Sequence, residues 1–328
     1  MFTIRDFDGS DADYEALVAI DTAVFGEYPM TADQWRHIDT TRDPELPFHR
    51  NMIEQDGQVV AMGDYGQTKY AFHPRKFVFN VYVHPDHEHP AIRPLYFQHV
   101  LETLADRQPI AFTTGMLEDR TTHIDFLHNA GFVEVMRSPF SGLDVTTFDD
   151  STVARHADRI TQAGIRIVSL RALSEIDLDW KRKFHDLYWE LSDDVPSSDP
   201  PVKDSLEEFE AGTLNAPHFD HDGCFVALDG DRYVGMSHVW INLVNKDQLH
   251  SGLTGVVRSH RRQGIATVLK LHQVAFARQI GASLITTSNE ENNPMYHLNL
   301  ALGFTPRPGW VTFEKSLQPD RGVVHPTE

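Results

Sequence analysis

The sequence predicts an α+β fold made of two tandem copies of one unit, each a twisted, mixed, mostly antiparallel sheet flanked by helices. Three observations predict it. Asp56-Gly57 and Asp229-Gly230 each sit between alternating apolar residues, in "RNMIEQDGQVVAMGDYGQ" and "GCFVALDGDRYVGMSHVW", the pattern of a tight hairpin. The β-rich runs "FVFNVYVHP" and "LHSGLTGVV" each give way to a helical pattern. Gly131-Phe132 and Gly303-Phe304 close the two halves, about 172 residues apart.

Each half then reads in the same order. A short strand opens it, "FTIRDF" or "IRIVSL", and a helix follows. The first helix carries Tyr14, Leu17, Val18, Asp21 and Phe25 at helical spacing; the second carries Trp180, Phe184, Leu187, Tyr188 and Leu191. After the hairpin and the β-rich run come the helices "PLYFQHVLETLA" and "ATVLKLHQVAFARQIGA". The buried strands "PIAFTTG" and "SLITTSN" follow, then a polar turn and a helix. The last long helix is expected to bury Ile265, Val268, Leu269, Ala275 and Phe276 and to leave Lys270 and Arg278 in water. A linker helix in "DDSTVARHADRITQAG", capped by Ser151 or Thr152 and ended by Gly164, joins the halves. The expected domains are 1–150 and 151–328.

Composition narrows the function. The chain has 328 residues, 41% of them hydrophobic and 10% aromatic, as a well-packed globular protein has. Its formal net charge of −19 repels nucleic acid and favours cationic molecules such as amines. No apolar run reaches the length of a membrane span, and the first residues lack a secretory pattern. A single cysteine, Cys224, excludes an internal disulfide and suits a reducing compartment, so the expected location is cytoplasmic.

The stretch "RSHRRQGIATVLKLH" concentrates arginines around one glycine ahead of a helix. A helix N-terminus exposes unpaired N–H groups and the positive end of the helix dipole, and a glycine lets backbone come close to an anion. Arg261-Arg262-Gln263-Gly264-Ile265-Ala266, placed between a strand and an amphipathic helix, resembles the Arg/Gln-x-x-Gly-x-Gly/Ala signature of the GNAT (Gcn5-related) N-acetyltransferase superfamily. "NNPMYHLNLALGF" resembles the motif that closes that family's acetyl-CoA site, and the arrangement is similar to that of tandem GNAT proteins related to mycothiol synthase. The resemblance implies two tandem GNAT folds with acetyl-CoA as co-substrate. It implies cofactor contacts at Val256, Val257, Arg258, Arg261, Arg262, Gln263, Gly264, Ile265 and Ala266, with Asn292 on the pantetheine arm. The first half departs from the signature in "HPDHEHPAIRP": Glu88 stands where Arg or Gln belongs, Ala91 where Gly belongs, and Arg93 where a small residue belongs. That half is expected to be degenerate as an acetyl-CoA site. Its cluster His84, His87 and His89 lacks a metal-ligand pattern, and no metal is expected.

Acyl transfer to an amine needs a base, a stabiliser for the carbonyl oxygen, and an exit for the thiolate. His250 lies six residues before Val256 on the same predicted strand and is the expected base, where the family often has glutamate. His238 is the second choice, or lines the acceptor pocket with Trp240. Backbone N–H groups near Val256 and Val257 serve the carbonyl oxygen. The family's tyrosine acid is replaced by Asn299, and Tyr296, one turn earlier, offers a hydroxyl instead. Asp193 and Asp194, in "WELSDDVPSSDPP", would attract an ammonium group. The leading expectation is an N-acetyltransferase acting on a small-molecule primary amine in the C-terminal half, monomeric, without nucleic-acid or membrane partners. The alternatives are an acyl-CoA sensor with little turnover and an enzyme acting on a protein N-terminus or lysine.

Overall fold

The computed structural model describes residues 1–26, 28–69, 72–152, 154–196 and 202–317. In chain order its elements begin with β1 (Phe2–Asp6), α1 (Asp11–Val24), α2 (Ala32–Thr41), β2 (Phe48–Gln55), β3 (Gln58–Gly66) and β4 (Lys76–Val83). Then come α3 (Ile92–Thr103), β5 (Ala111–Leu117), α4 (Thr121–Asn129), β6 (Val133–Asp144) and α5 (Ala154–Gln162). The remainder is β7 (Ile165–Ser169), α6 (Leu170–Ile176), α7 (Trp180–Ser192), α8 (Leu206–Phe209), β8 (Phe219–Asp229) and β9 (Arg232–Ile241). It ends with β10 (Gln248–Val256), α9 (Ile265–Ile280), β11 (Leu284–Ser288), α10 (Pro294–Ala301) and β12 (Thr305–Ser316).

The chain divides into two compact units. The first takes Met1–Pro29, Asp43–Arg137 and Trp310–Glu328; the second takes Met30–Arg42 and Ser138–Gly309. The units therefore interleave in sequence, where the expectation of 1–150 and 151–328 has a single cut. Helix α2 goes with the second unit, where His37 Nε2 lies 3.4 Å from the Gly212 carbonyl. Residues 310–316 of β12 complete the first unit's sheet by pairing antiparallel with β5.

Within the first unit the strand order is β1-β2-β3-β4-β5 and then β12, antiparallel except for the parallel pair β4–β5. Asp56 and Gly57 both take positive φ, 52° and 83°, which is the turn an Asp-Gly hairpin requires. Strand β4 alternates half-buried and buried residues along its length, and its inward side chains Phe77, Phe79, Val81 and Val83 meet Tyr96, Phe112 and Phe132 in the core. Three of the ring pairs there stand 5.0–5.8 Å apart.

The second unit repeats the scheme. Strands β7-β8-β9-β10 run antiparallel, β10–β11 is parallel, and residues 140–144 of β6 pair antiparallel with β11. Its core gathers Phe184, Leu187 and Leu191 from α7 with Val226, Met236, Leu249, Ile265, Leu269 and Phe276. Helix α5 occupies the expected linker position and ends on Gly164 at φ 79°. Asp149, rather than Ser151, closes the turn before it by accepting from the Ser151 N–H at 2.9 Å; the Thr152 side chain lies outside the described residues.

Helix α9 corrects the sequence at two positions. Lys270 is buried, 3% exposed, whereas Ala275 faces water. The lysine tolerates burial because Ser251 Oγ accepts from its Nζ at 2.6 Å and the Phe304 ring lies 5.7 Å below it. Arg278 does reach water, and its guanidinium also bonds the Val145 and Phe148 carbonyls and Asp150.

Candidate active site

The site grows from a divergence of two strands. β10 and β11 pair only from Gln248↔Leu284 to Ser251↔Thr287, although β10 continues to Val256 against β9. Beyond Ser251 one edge of β10 thus leaves the ladder. Antiparallel strands alternate the direction of their backbone groups. Val257 N–H donates to Val234 O at 2.9 Å on β9, so the Val256 N–H and C=O point to the opposite, open edge. The Val256 carbonyl is used there by Arg261 Nε at 2.9 Å. Of the two amides expected to serve a carbonyl oxygen, geometry leaves that of Val256, because that of Val257 is already bonded.

After β10 the chain makes a 3-10 turn, Arg258–His260, and enters α9 through Arg262 at φ 63° and Gly264 at φ 91°. A left-handed conformation at a non-glycine residue costs about 1–2 kcal/mol. It is tolerated here in a turn that aims successive N–H groups at one place. Among the described residues no side chain caps α9, and its first intrahelical bond is Val268 N–H to Gly264 O, 3.1 Å. The amides of Ile265, Ala266 and Thr267 are left for an anion. Buried Ile265 and Val268 anchor this turn in the core, while Gln263 and Ala266 are half-buried. A Cβ on Gly264 would stand 2.7 Å from His156 Nδ1 of α5, so the glycine is required by space as well as by φ.

Asp194 belongs to this turn. Its carboxylate accepts from Arg258 Nη2 at 2.7 Å and pairs with Arg261 Nη2, and these hydrogen bonds hold it below the usual carboxylate range. Expected from the sequence to attract an ammonium group, Asp194 is paired in the structure with two arginines of this turn. Asp193 is the exposed C-cap of α7, and residues 197–201 of the same loop lie outside the described residues.

The face of β9 and β10 that α7 covers carries aromatic and imidazole side chains. His250, opposite Trp240 in the β9–β10 register, lies with Nδ1 3.1 Å from Thr286 Oγ1, and burial pushes its pKa down to about 4. The β10 bulge between Ser251 and Thr254 sets Gly252 against His238, whose ring would collide with any Cβ at 252. His238 is 1% exposed, both its ring nitrogens are buried without a hydrogen-bond partner among the described residues, and burial pushes its pKa down to about 3. Trp240, Phe219 and Tyr188 surround it at ring-centroid distances of 4.9, 5.6 and 6.4 Å. His218, 4.6 Å from the Trp240 ring, adds a third imidazole, pushed down to about 4 by burial. Sequence reasoning did not bring His218, Phe219 or Tyr188 to this face, because "APHFDHDG" has no spacing that announces a site and Tyr188 reads only as part of a helical pattern.

Behind this face runs a buried polar chain. Lys270 donates to Ser251, Ser251 Oγ to Gln273 Oε1 at 3.0 Å, and Gln273 Nε2 to the His238 carbonyl at 2.8 Å. It ties α9 to both strands that carry the histidines. Burial brings the Lys270 pKa down to about 7.

Helix α10 closes the motif. Asn299 is fully buried, donates from Nδ2 to Asn289 Oδ1 at 2.7 Å and leaves its own Oδ1 buried without a partner among the described residues. Tyr296 is half-buried one turn earlier. Asn292 is exposed, with its amide donating to Glu290 Oε1 at 2.7 Å.

The first unit repeats the strand divergence and changes the turn. β4 and β5 pair only from Lys76↔Ala111 to Val78↔Thr113. Where the second unit has its arginine-rich turn, Arg93 is buried and forks onto Glu88 at 2.7 and 2.6 Å. His84 and His89 accept from the Asp86 and Ala91 amides through Nδ1, as turn residues do, and His87 meets Gln58. Among the described residues no group of three His, Cys, Asp or Glu side chains is placed to hold a metal ion, and no helix is long and apolar enough to cross a membrane.

Comparison with known proteins agrees with this geometry. Residues 183–304 match the Acetyltransferase (GNAT) family. The chain is similar in fold to a tandem GNAT protein from the clavulanic acid biosynthesis pathway, at 17% identity over 98% of this chain and 100% of that one, TM-score 0.73. It is also similar to a GCN5-related N-acetyltransferase from Sphaerobacter thermophilus, at 17% identity over 97% and 96% of the two chains, TM-score 0.65. No curated protein matches.

Proposed function

We propose, from the premise that residues 183–304 form an acetyltransferase domain of the GNAT family in a tandem GNAT chain, that the second unit transfers acetyl from acetyl-CoA to a primary amine of a small molecule. The observation that carries the reading is the conjunction of an open β10 edge, a side-chain-uncapped helix behind a left-handed glycine, and imidazoles on the adjoining face. Acetyl-CoA supplies the acetyl group as a thioester. The turn from Arg258 to Ala266 holds its phosphates through backbone amides, with Arg262 adding charge and Arg258 and Arg261 shared with Asp194. The Val256 N–H on the open edge donates to the carbonyl oxygen. His250, kept neutral by burial, accepts the proton the amine loses.

The acceptor is held by Tyr188, Phe219, His238 and Trp240, a wall of rings that suits an apolar or aromatic amine. With Asp194 committed to arginines, that wall recognises shape and hydrogen bonds rather than cationic charge. Asn299, its amide already serving Asn289, acts as a structural residue of α10, and Tyr296 is the nearer hydroxyl for the leaving thiolate. The test is a panel of small amines and of peptides incubated with acetyl-CoA, products read by mass spectrometry. Acetylation of an apolar amine that is lost in His250→Ala supports the reading. Acetylation of peptides alone would replace the acceptor class, and turnover of nothing would leave an acyl-CoA sensor.

A further inference from the structure

We propose that the second unit carries a ligand site at the edge of its sheet, a cavity that takes a zwitterionic amino acid with a branched apolar side chain. The cavity measures about 280 Å³ and is bounded by the start of β7, the turn of the β8–β9 hairpin and the segment from α6 into α7. One water occupies about 30 Å³, so the space holds roughly nine waters or one amino acid of leucine's size. Among the described residues, none that lines it belongs to β10, β11 or the turn before α9.

The sheet lays down the floor. Arg166 on β7 pairs with Leu228 on β8, and Leu228 pairs with Tyr233 on β9. Directly paired residues of antiparallel strands share a face. Guanidinium, isobutyl group and phenol therefore form one row about 10 Å long, two strand spacings. Leu173 and Ile176 of α6 add apolar surface, and Ile176 is 69% exposed, so a ligand can reach it.

Four charged side chains line the space, and two of them are already matched. Asp177 accepts from Lys183 Nζ at 2.8 Å and from the Tyr233 hydroxyl at 2.9 Å, and the bond from Lys183 holds its carboxyl below the usual carboxylate range. The other two are Arg166 and Asp231. Neither side chain has a hydrogen-bond or ion-pair partner among the described residues, and although both line one cavity they do not pair with each other. An unmatched cation and an unmatched anion beside an apolar floor are the complement of an α-amino acid. Its carboxylate meets the guanidinium, its ammonium meets Asp231, and its side chain lies on Leu228 and Ile176. A phosphate or a dicarboxylate would face Asp177 and Asp231 with one unmatched cation to receive it. This inference does not depend on the acetyl-transfer reading of the second unit.

The test titrates the full chain, carrying 13C-methyl isoleucine, in the absence of acetyl-CoA. The Ile176 signal is the one that disappears in Ile176→Val. Three probes share one isobutyl body: L-leucine carries both charges, 4-methylpentanoate the carboxylate alone, and 3-methylbutylamine the ammonium alone. The expected result is a saturable shift of the Ile176 signal by leucine at millimolar concentration, with each singly charged probe weaker by about tenfold or more. In Arg166→Gln leucine should bind no better than 3-methylbutylamine, and in Asp231→Asn no better than 4-methylpentanoate. Both side chains are exposed, so neither variant threatens the fold. The proposal is overturned if no saturable shift appears up to about 10 mM, as solvated charges over a water-filled hollow would give. It is equally overturned if a singly charged probe matches leucine on the unaltered chain, or if leucine keeps its advantage in either variant, as binding elsewhere would allow.

Discussion

Two side chains of the second unit make opposite predictions about stability. Lys270 is a buried amine, its pKa brought down to about 7 by burial, and among the described residues it is hydrogen-bonded to Ser251. Removing the oxygen in Ser251→Ala strands the amine and should destabilise by about 1–3 kcal/mol in urea unfolding. Replacing the amine by an apolar side chain of similar volume, Lys270→Met, should cost less or stabilise, since a buried charge is expensive even when paired. The reverse order would show that the lysine is the stabilising member. For the chemistry, His250→Gln should lower kcat by about 10²–10⁴ with little change in KM for acetyl-CoA. Because burial holds His250 near 4, its neutral form persists at acid pH, and the rate should not fall through an ordinary histidine limb near pH 6.5. Lys270 shows why such residues elude a sequence: charged residues are mostly exposed, and the partners that keep this one inside, Ser251 and Phe304, lie far along the chain.

At the scale of elements, what was legible is what local chemistry dictates. The Asp-Gly hairpins, the glycine before α9 and the Gly-Phe pairs are readable because positive φ selects glycine, and Gly131 and Gly303 take 81° and 92°. The turn proposed to hold phosphates was readable for the same reason. What depends on distant pairing was not. Strands β6 and β12 each serve a sheet whose other strands come from elsewhere in the sequence, and α2 joins the second unit across a long separation. The Thr31–Gln34 capping box of α2 was a local signal present in the sequence, though nothing nearby said which core the helix would join. The face proposed for the acceptor was half legible: His238 and Trp240 alternate along one strand, while Tyr188, Phe219 and His218 reach it only through the fold. Gly264→Val tests the turn itself. It adds a branched side chain at φ 91° beside His156, and should weaken acetyl-CoA binding at least about tenfold while the folded far-UV spectrum remains.

For the molecule as a whole, buried neutral histidines set the response to acid. His123 in the first unit and His238 in the second are held down to about 3, against an ordinary value near 6.5. Between those values the unfolded chain binds protons that the folded chain refuses, so stability rises with pH across that window. It is complete above about pH 6.5 and is lost progressively as pH falls towards 3. The urea midpoint should therefore drop from pH 7 to pH 5, and less so in a His123→Leu, His238→Phe chain; an unchanged drop would place the acid sensitivity in other groups. Acetyl-CoA is proposed to occupy the second unit alone, and calorimetric titration of acetyl-CoA into the full chain, beside Gly264→Val, measures this. One binding event per chain, lost in the variant, is the predicted result; two events, or one event unchanged by the substitution, would contradict it.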